Sequence, residues 1–283
     1  MAKRIVIIGV IAMLFVSPGC QKANEEADKN AILTLIAKDT VWFNSNTEVD
    51  STDSGTYLTM LDDTTKIIWW RGKQTHPDTN VTISIVNDSA FVEWERTNAG
   101  TLYVIAWTPS DNSWHTWRKT LYETVHLNSI FRRTGDINDE NRGWELKKIS
   151  CAWGASSNNK VSLDSIKIES ESNGTFVIVD PANIFYSIDS LITFKPKEEV
   201  HITLYTRGED ARAFLHTFVL LWPFYLRLPF NKTAEGIYEG TWKTQVIPFP
   251  RFAIFDVLNY NTLFTEEGEY DFNGLLFPYN IKN

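Results

Sequence analysis

Val81-Thr82-Ile83-Ser84-Ile85-Val86-Asn87-Asp88-Ser89-Ala90-Phe91-Val92-Glu93-Trp94-Glu95 is the stretch whose pattern sets the fold class. Val81, Ile83 and Ile85 alternate with Thr82 and Ser84, while Ala90, Val92 and Trp94 alternate with Phe91, Glu93 and Glu95; a period of two puts each set on one face of a strand. Asn87-Asp88 supplies the turn, so the stretch predicts a β-hairpin. Before it, Ile32, Leu33, Leu35, Ile36 and Val41 approach a helical period between Glu25 and Phe43, with acidic residues in the first turn. Asn44 to Asp63, rich in Ser, Thr, Asp and Gly, reads as a loop with a short helix around Tyr57 to Leu61. After the hairpin, Asn98-Ala99-Gly100 predicts a turn into Leu102 to Trp107. An extended segment from Thr120 to Thr134, a turn at Gly135 to Arg142 and a strand at Gly143 to Trp153 follow. Helix first and then a meander is an α+β order rather than βαβ.

Of the 283 residues 43% are hydrophobic and only two are Cys, so the chain is neither disordered nor a disulfide-stapled miniprotein. At roughly 150 residues per domain the length favours one large or two modest domains. With 27 Lys+Arg against 35 Asp+Glu, the net charge of −8 argues against a nucleic-acid partner.

Lys3 and Arg4 precede an apolar run from Ile5 to Val16, too short to span a bilayer but right for a signal-peptide core. The run ends in Ser17-Pro18-Gly19-Cys20, which resembles the lipobox of bacterial lipoproteins. That resemblance implies a signal peptide over 1–19, cleavage after Gly19 and lipidation of Cys20. The implied partner is a membrane held through the N-terminal lipid, and the implied address is the cell envelope, at the outer membrane. Pro18, and the absence of Leu at the usual upstream position, depart from the commonest lipobox. Residues 20–29, with Glu25, Glu26 and Asp28, resemble the acidic tether of Bacteroidota-type lipoproteins. Cys151 is then left without a disulfide partner and reads as a buried small hydrophobe.

The strand near Ile67 to Arg71, Asp88-Ser89-Ala90-Phe91-Val92, Ile130-Phe131-Arg132-Arg133 and Arg142-Gly143-Trp144-Glu145-Leu146 together resemble the nuclear transport factor two-like fold. In that fold a curved antiparallel sheet wraps helices into a cone. The resemblance spans residues 30–155 and implies either a cavity that holds a small ligand or does acid–base chemistry, or a sheet used as an interaction surface. Candidate cavity or ligand contacts are Trp94, Tyr103, His126, Arg132 and Trp144. His126 shares the more polar face of its strand with Tyr122, Thr124 and Asn128. Its ordinary pKa suits a general base, although a surface or hydrogen-bonded role is the simpler reading. Arg132 and Arg133 are adjacent, so at most one faces a given pocket. Trp69, Trp70, Trp94, Trp107, Trp114, Trp117, Trp144 and Trp153 are a heavy load for one domain, and a subset of them suits a stacking platform for sugars or another flat apolar ligand, although core packing accounts for most.

Beyond Ser156 to Asn159, which reads as a linker, nine candidate strands recur between Val161 and Tyr279 at the spacing of an all-β sandwich. Residues 158–283 therefore resemble an immunoglobulin-like domain, on strand spacing alone because the Cys…Trp…Cys signature is missing. The apolar Leu220-Leu221-Trp222-Pro223-Phe224-Tyr225 reads as a binding tip or an interdomain contact. No metal-ligand cluster or cofactor motif is visible, and no catalytic motif is complete. The expected protein is a non-catalytic lipid-anchored module for a small-molecule, glycan or protein ligand. The alternatives are an enzyme using the cone for acid–base chemistry, and a glycan-binding surface lipoprotein. His126 facing a wet cavity within hydrogen-bond reach of a carboxylate would count strongly against the non-catalytic module.

Overall fold

The computed structural model describes residues 18–43, 59–60, 66–108, 111–158, 160–208, 210–219, 224–246, 248 and 250–282. The signal segment up to residue 17 and the apolar residues 220–223 lie outside them. The chain opens with helix α1 (Pro18–Lys38), followed by β1 (Thr59–Met60), β2 (Lys66–Arg71), β3 (Thr75–Val86), β4 (Ser89–Thr108), β5 (Ser113–Arg133) and β6 (Trp144–Ser156). Then come β7 (Ser162–Ser170), β8 (Gly174–Ile178), β9 (Tyr186–Ser187), β10 (Thr193–Phe194), β11 (Glu199–Arg207) and β12 (Ala211–Val219). The last elements are β13 (Phe224–Pro229), β14 (Asn231–Ala234), β15 (Ile237–Lys243), β16 (Arg251–Asn259), helix α2 (Tyr260–Phe264) and β17 (Phe272–Ile281).

The molecule is a predominantly antiparallel β protein. Its larger sheet runs β1-β2-β4-β5-β6-β17-β16-β12-β13, with β3 on β4, β9 on β6 and β10 on β17, and a second sheet runs β14-β15-β11-β7-β8. The larger sheet curls as a half-barrel, and β1 at one end comes back against β13 at the other. Along the regular parts of the long strands, alternation sorts side chains to the lumen or to the outer face. On β5 the odd positions Leu121, Glu123, Val125 and Leu127 are buried inward, while Thr120, Tyr122 and Thr124 look outward.

Three apolar clusters fill the molecule. Ile32 and Ile36 of α1, with Trp42 and Phe43 just after it, plug one end of the lumen against Val92, Trp94, Leu127, Phe131 and Trp144. Trp69, Val104, Leu121, Phe214, Leu263 and Phe272 fill the other end. On the outer side, Cys151, Phe255, Phe277 and Tyr279 pack against Ile166, Ile202, Leu204 and Trp242 of the second sheet.

Several expectations are corrected. The predicted turn at Asn98-Ala99-Gly100 is instead the middle of the long β4: Asn98 is buried in the lumen, where its amide donates to Glu123 Oε1 at 3.3 Å and its Oδ1 accepts from Arg96 Nε at 3.2 Å. A turn-forming residue type serves here as an internal hydrogen-bonding group. Thr59 and Met60, expected near a short helix, pair as a strand with Ile67 and Lys66. The expected tether 20–29 lies inside α1, and the division at residues 155–158 does not separate two sheets, because β17 pairs with β6 from Asn273↔Ala155 to Leu276↔Ala152. Nor is the expected linker at Ser156 to Asn159 free where it is described, at Ser156 and Asn158, or at Lys160 just beyond it. Phe272 N donates to Ser156 Oγ at 2.9 Å, Asn158 Nδ2 to Tyr270 O at 2.9 Å and Lys160 N to Asp271 Oδ1 at 3.1 Å. The nine strands expected after residue 158 each correspond to a strand, but five of them, β10, β12, β13, β16 and β17, belong to the larger sheet that the first half also builds.

Asp28 locks α1 into the curled sheet. Its carboxylate accepts from Arg133 Nη2 and Arg142 Nε, each at 2.7 Å, and from Trp144 Nε1 at 3.1 Å, while Arg133 lies over the Trp144 ring. Burial opposes the charge, but the Arg142, Arg133 and Trp144 donors outweigh it and hold the carboxyl below its ordinary value. A depressed folded-state pKa gives stability that is fully present above the ordinary aspartate value of about 3.9 and is lost as pH falls through the folded value. Asp28→Asn is expected to cost about 2 kcal/mol at pH 7, as for charge-assisted hydrogen bonds. In guanidinium unfolding, the gap from wild type should close when both are measured well below pH 3.9.

Candidate functional site

A cleft of about 410 Å³ opens on the outer face of the larger sheet, where the second sheet stops short of covering it. Its floor comes from β5, β6 and β17, and Leu163 and Pro181 form its wall. The outward positions make the floor: Thr124 pairs with Ala155, and His126 with Trp153. The His126 and Trp153 rings stack at 5.3 Å and 16°. On the next strand Glu95, opposite His126, sets Oε2 3.3 Å from His126 Nδ1, with both side chains partly solvated. Thr124, Ser157 and Asn273 add hydroxyl and amide groups to an otherwise flat aromatic floor. This arrangement can stack a planar or ring-shaped group and hydrogen-bond its edge; the His–Glu pair can also exchange a proton.

A second depression, about 600 Å³, lies beside β7, β8 and β11, and several of its charges are paired within the protein. Lys167 bonds Glu169 at 2.8 Å and Lys195 bonds Glu171 at 3.1 Å, while Glu198 accepts from Ser172 N and Lys195 N, each at 2.7 Å.

Between the two apolar ends of the lumen lies a layer of buried ionisable groups. Arg71 Nη1 donates to Asp256 Oδ2 at 2.8 Å, and His216 Nε2 stands 2.9 Å from the same oxygen. Arg71 also reaches the Tyr270 hydroxyl at 3.3 Å, and Tyr270 donates to Glu123 Oε2 at 2.5 Å. Arg71 lies over Phe272 at 4.7 Å and Arg227 over Trp69 at 4.3 Å. Burial works to raise the Asp256 carboxyl, but Arg71 and His216 reverse this and hold it far below the usual carboxylate range. Burial pushes the Tyr270 phenol well above its ordinary value, so it stays a donor. The sequence signal for this layer was Asp256 alone within Phe252-Ala253-Ile254-Phe255-Asp256-Val257-Leu258, a charge in a run buried on both faces.

The five candidate contacts do not converge. Trp94 and Trp144 lie in the lumen plug, because they fall on the inward set of their strands and α1 fills the space they were expected to line. Tyr103 points outward and stacks on Trp70 at 5.1 Å, and Arg132 is exposed. His126 alone of the five lines the cleft, on the convex face rather than inside a cone. Cys20 falls within the helical backbone of α1. Cys151 is fully buried, and desolvation pushes its thiol up to about 12, which leaves it unreactive. Among the described residues no group of three or more His, Cys, Asp or Glu could hold a metal ion, and no helix is long and apolar enough to cross a membrane. No protein-family model, curated protein or solved structure matches the chain.

Removing one member of a buried charge pair leaves the other uncompensated, typically costing about 3–5 kcal/mol. Arg71→Met is therefore expected to destabilise by that amount in chemical denaturation. Adding Asp256→Leu should restore most of the loss, a coupling that a double-mutant cycle reads directly.

Proposed function

We propose that this chain is a lipid-anchored binding protein of the bacterial cell envelope, held at the outer membrane through Cys20, and that the cleft over Trp153 and His126 takes its ligand. The observation that carries the reading is the stacked ring pair on the floor of an open cleft edged by hydroxyl and amide groups, the makings of a site for an uncharged, ring-bearing molecule. The lipid anchor rests on Ser17-Pro18-Gly19-Cys20. The packing of the second sheet over β12, β16 and β17 supports an immunoglobulin-like reading of the second half, and the curl of the first sheet around α1 supports a cone-like reading of the first. In this reading the ionisable layer in the lumen is structural.

A second reading, proton-transfer chemistry in the same cleft, is favoured by the approach of His126 Nδ1 to Glu95 Oε2, the juxtaposition of a histidine at an open cleft with a carboxylate that counts against a purely non-catalytic module.

Two measurements test the proposal. Cys20→Ala should abolish metabolic labelling with an alkyne fatty acid and release the protein from the membrane fraction; labelling that persists would refute the anchor. In a thermal-shift screen of neutral mono- and disaccharides and nucleosides, wild type should gain stability with at least one class. Saturation at about a hundred times Kd corresponds to about 2.7 kcal/mol. Trp153→Ala should erase that gain, whereas turnover of a chromogenic glycoside or ester that disappears in His126→Asn would replace the binding reading with the catalytic one.

A further inference from the structure

The outward residues of β5 run Trp114, Thr116, Arg118, Thr120, Tyr122, Thr124, His126. Planar groups and threonines therefore alternate, with a flat group at every fourth residue. Cross-strand partners widen three of the four flat positions: Trp107 pairs with Trp114 and their rings meet at 5.5 Å, Tyr103 pairs with Arg118, and Trp153 pairs with His126, while Tyr122 faces Ala99. Arg118 lies over the Tyr103 ring at 5.5 Å, and that ring stacks within 10° of Trp70. Gly72 makes the Tyr103 position possible, since a Cβ there would stand 2.7 Å from the ring edge. Trp114 and Tyr122 are 46% and 51% exposed, values that leave their rings open to a ligand.

At about 3.4 Å per residue, four residues separate successive platforms by about 14 Å, and the row from Trp114 to His126 spans about 41 Å. Only an extended polymer can use a row of that length. Alternating ring faces and hydroxyls match a molecule with apolar C–H faces and hydroxylated edges. Charge decides between polymers: a chain of net charge −8, with Glu93 and Glu95 on the same outer face and Arg118 as the one formal cation in the row, repels polyanions and suits an uncharged one.

We infer that the outer face of β5 is a track for an extended neutral polysaccharide, running from the Trp107–Trp114 end of the hairpin to the cleft at Trp153, which serves as its terminal subsite. The inference rests on the cleft being a binding site and adds its ligand class and direction.

Affinity electrophoresis of the whole protein through starch, mixed-linkage β-glucan and galactomannan, followed by calorimetry with the disaccharide-to-octasaccharide series of the retarding polymer, tests it. Wild type should be retarded by at least one of the three, with affinity rising along the series. Trp114→Ala and Arg118→Ala, both at exposed positions, should weaken polymer binding about tenfold, the equivalent of about 1.4 kcal/mol, and leave disaccharide binding unchanged. Trp153→Ala should weaken both. Equal polymer affinity in wild type, Trp114→Ala and Arg118→Ala overturns the track while leaving the cleft reading intact. Failure of all three polymers, or retardation by polygalacturonate instead, overturns the ligand class; the small-molecule screen with Trp153→Ala judges the cleft separately.

Discussion

Strands β16 and β17 are buried on both faces, and the rest of the structure is arranged around that constraint. Their inward residues Phe252, Ile254 and Leu276 meet the helix-filled lumen, while their outward residues Phe255, Phe277 and Tyr279 meet the second sheet. Antiparallel sheets commonly leave one face to water, and near-continuous apolar runs are the signature of strands covered twice. Phe252 to Leu258 is such a run, and the two cores of the molecule share this strand pair as a common wall.

Covering both faces makes the position of Asp256 costly. A carboxylate in that wall needs a compensating cation and further hydrogen bonds, which β2 supplies through Arg71 and β12 through His216. Because β2 and β12 lie on opposite limbs of the curl, satisfying one charge also fixes how far the sheet closes. Tyr270 and Glu123 extend the same logic to β5, so one layer of polar contacts sets the register of the limbs against each other. The cleft does not share these demands. It lies outside the curl, at the place where the second sheet ends, and its side chains are free to face solvent.

Local pattern carried much of this. The alternation in Val81–Glu95 and in the later strands was legible because each strand has one face in a core, and the helical period of Ile32 to Ile36 because α1 has one face in the lumen. The pairing that joins the two halves of the chain in one sheet was not legible: nothing in Trp144–Ser156 or Phe272–Ile281 says that these strands pair, since ladder hydrogen bonds are made by backbone and carry no residue code. Asn98 misled for a related reason, its side chain being as useful inside a lumen as in a turn. His126 was placed on the correct face of its strand by period alone. Its neighbour Trp153 and the opposing Glu95 come from different strands, so the site they make depends on register, which turns and bulges set.

The pairing of β6 with β17 also has a kinetic side. A strand whose ladder partner lies more than a hundred residues further along the chain contributes strongly to contact order and imposes a long loop closure, so the central sheet forms slowly. Until β17 docks, β6 presents one open edge, with Cys151 and Trp153 uncovered beside it. During that interval an edge that is internal in the finished molecule is open to pairing with another chain. The second sheet needs only strands between Ser162 and Lys243 and can assemble first, giving β16 and β17 a surface on which to settle.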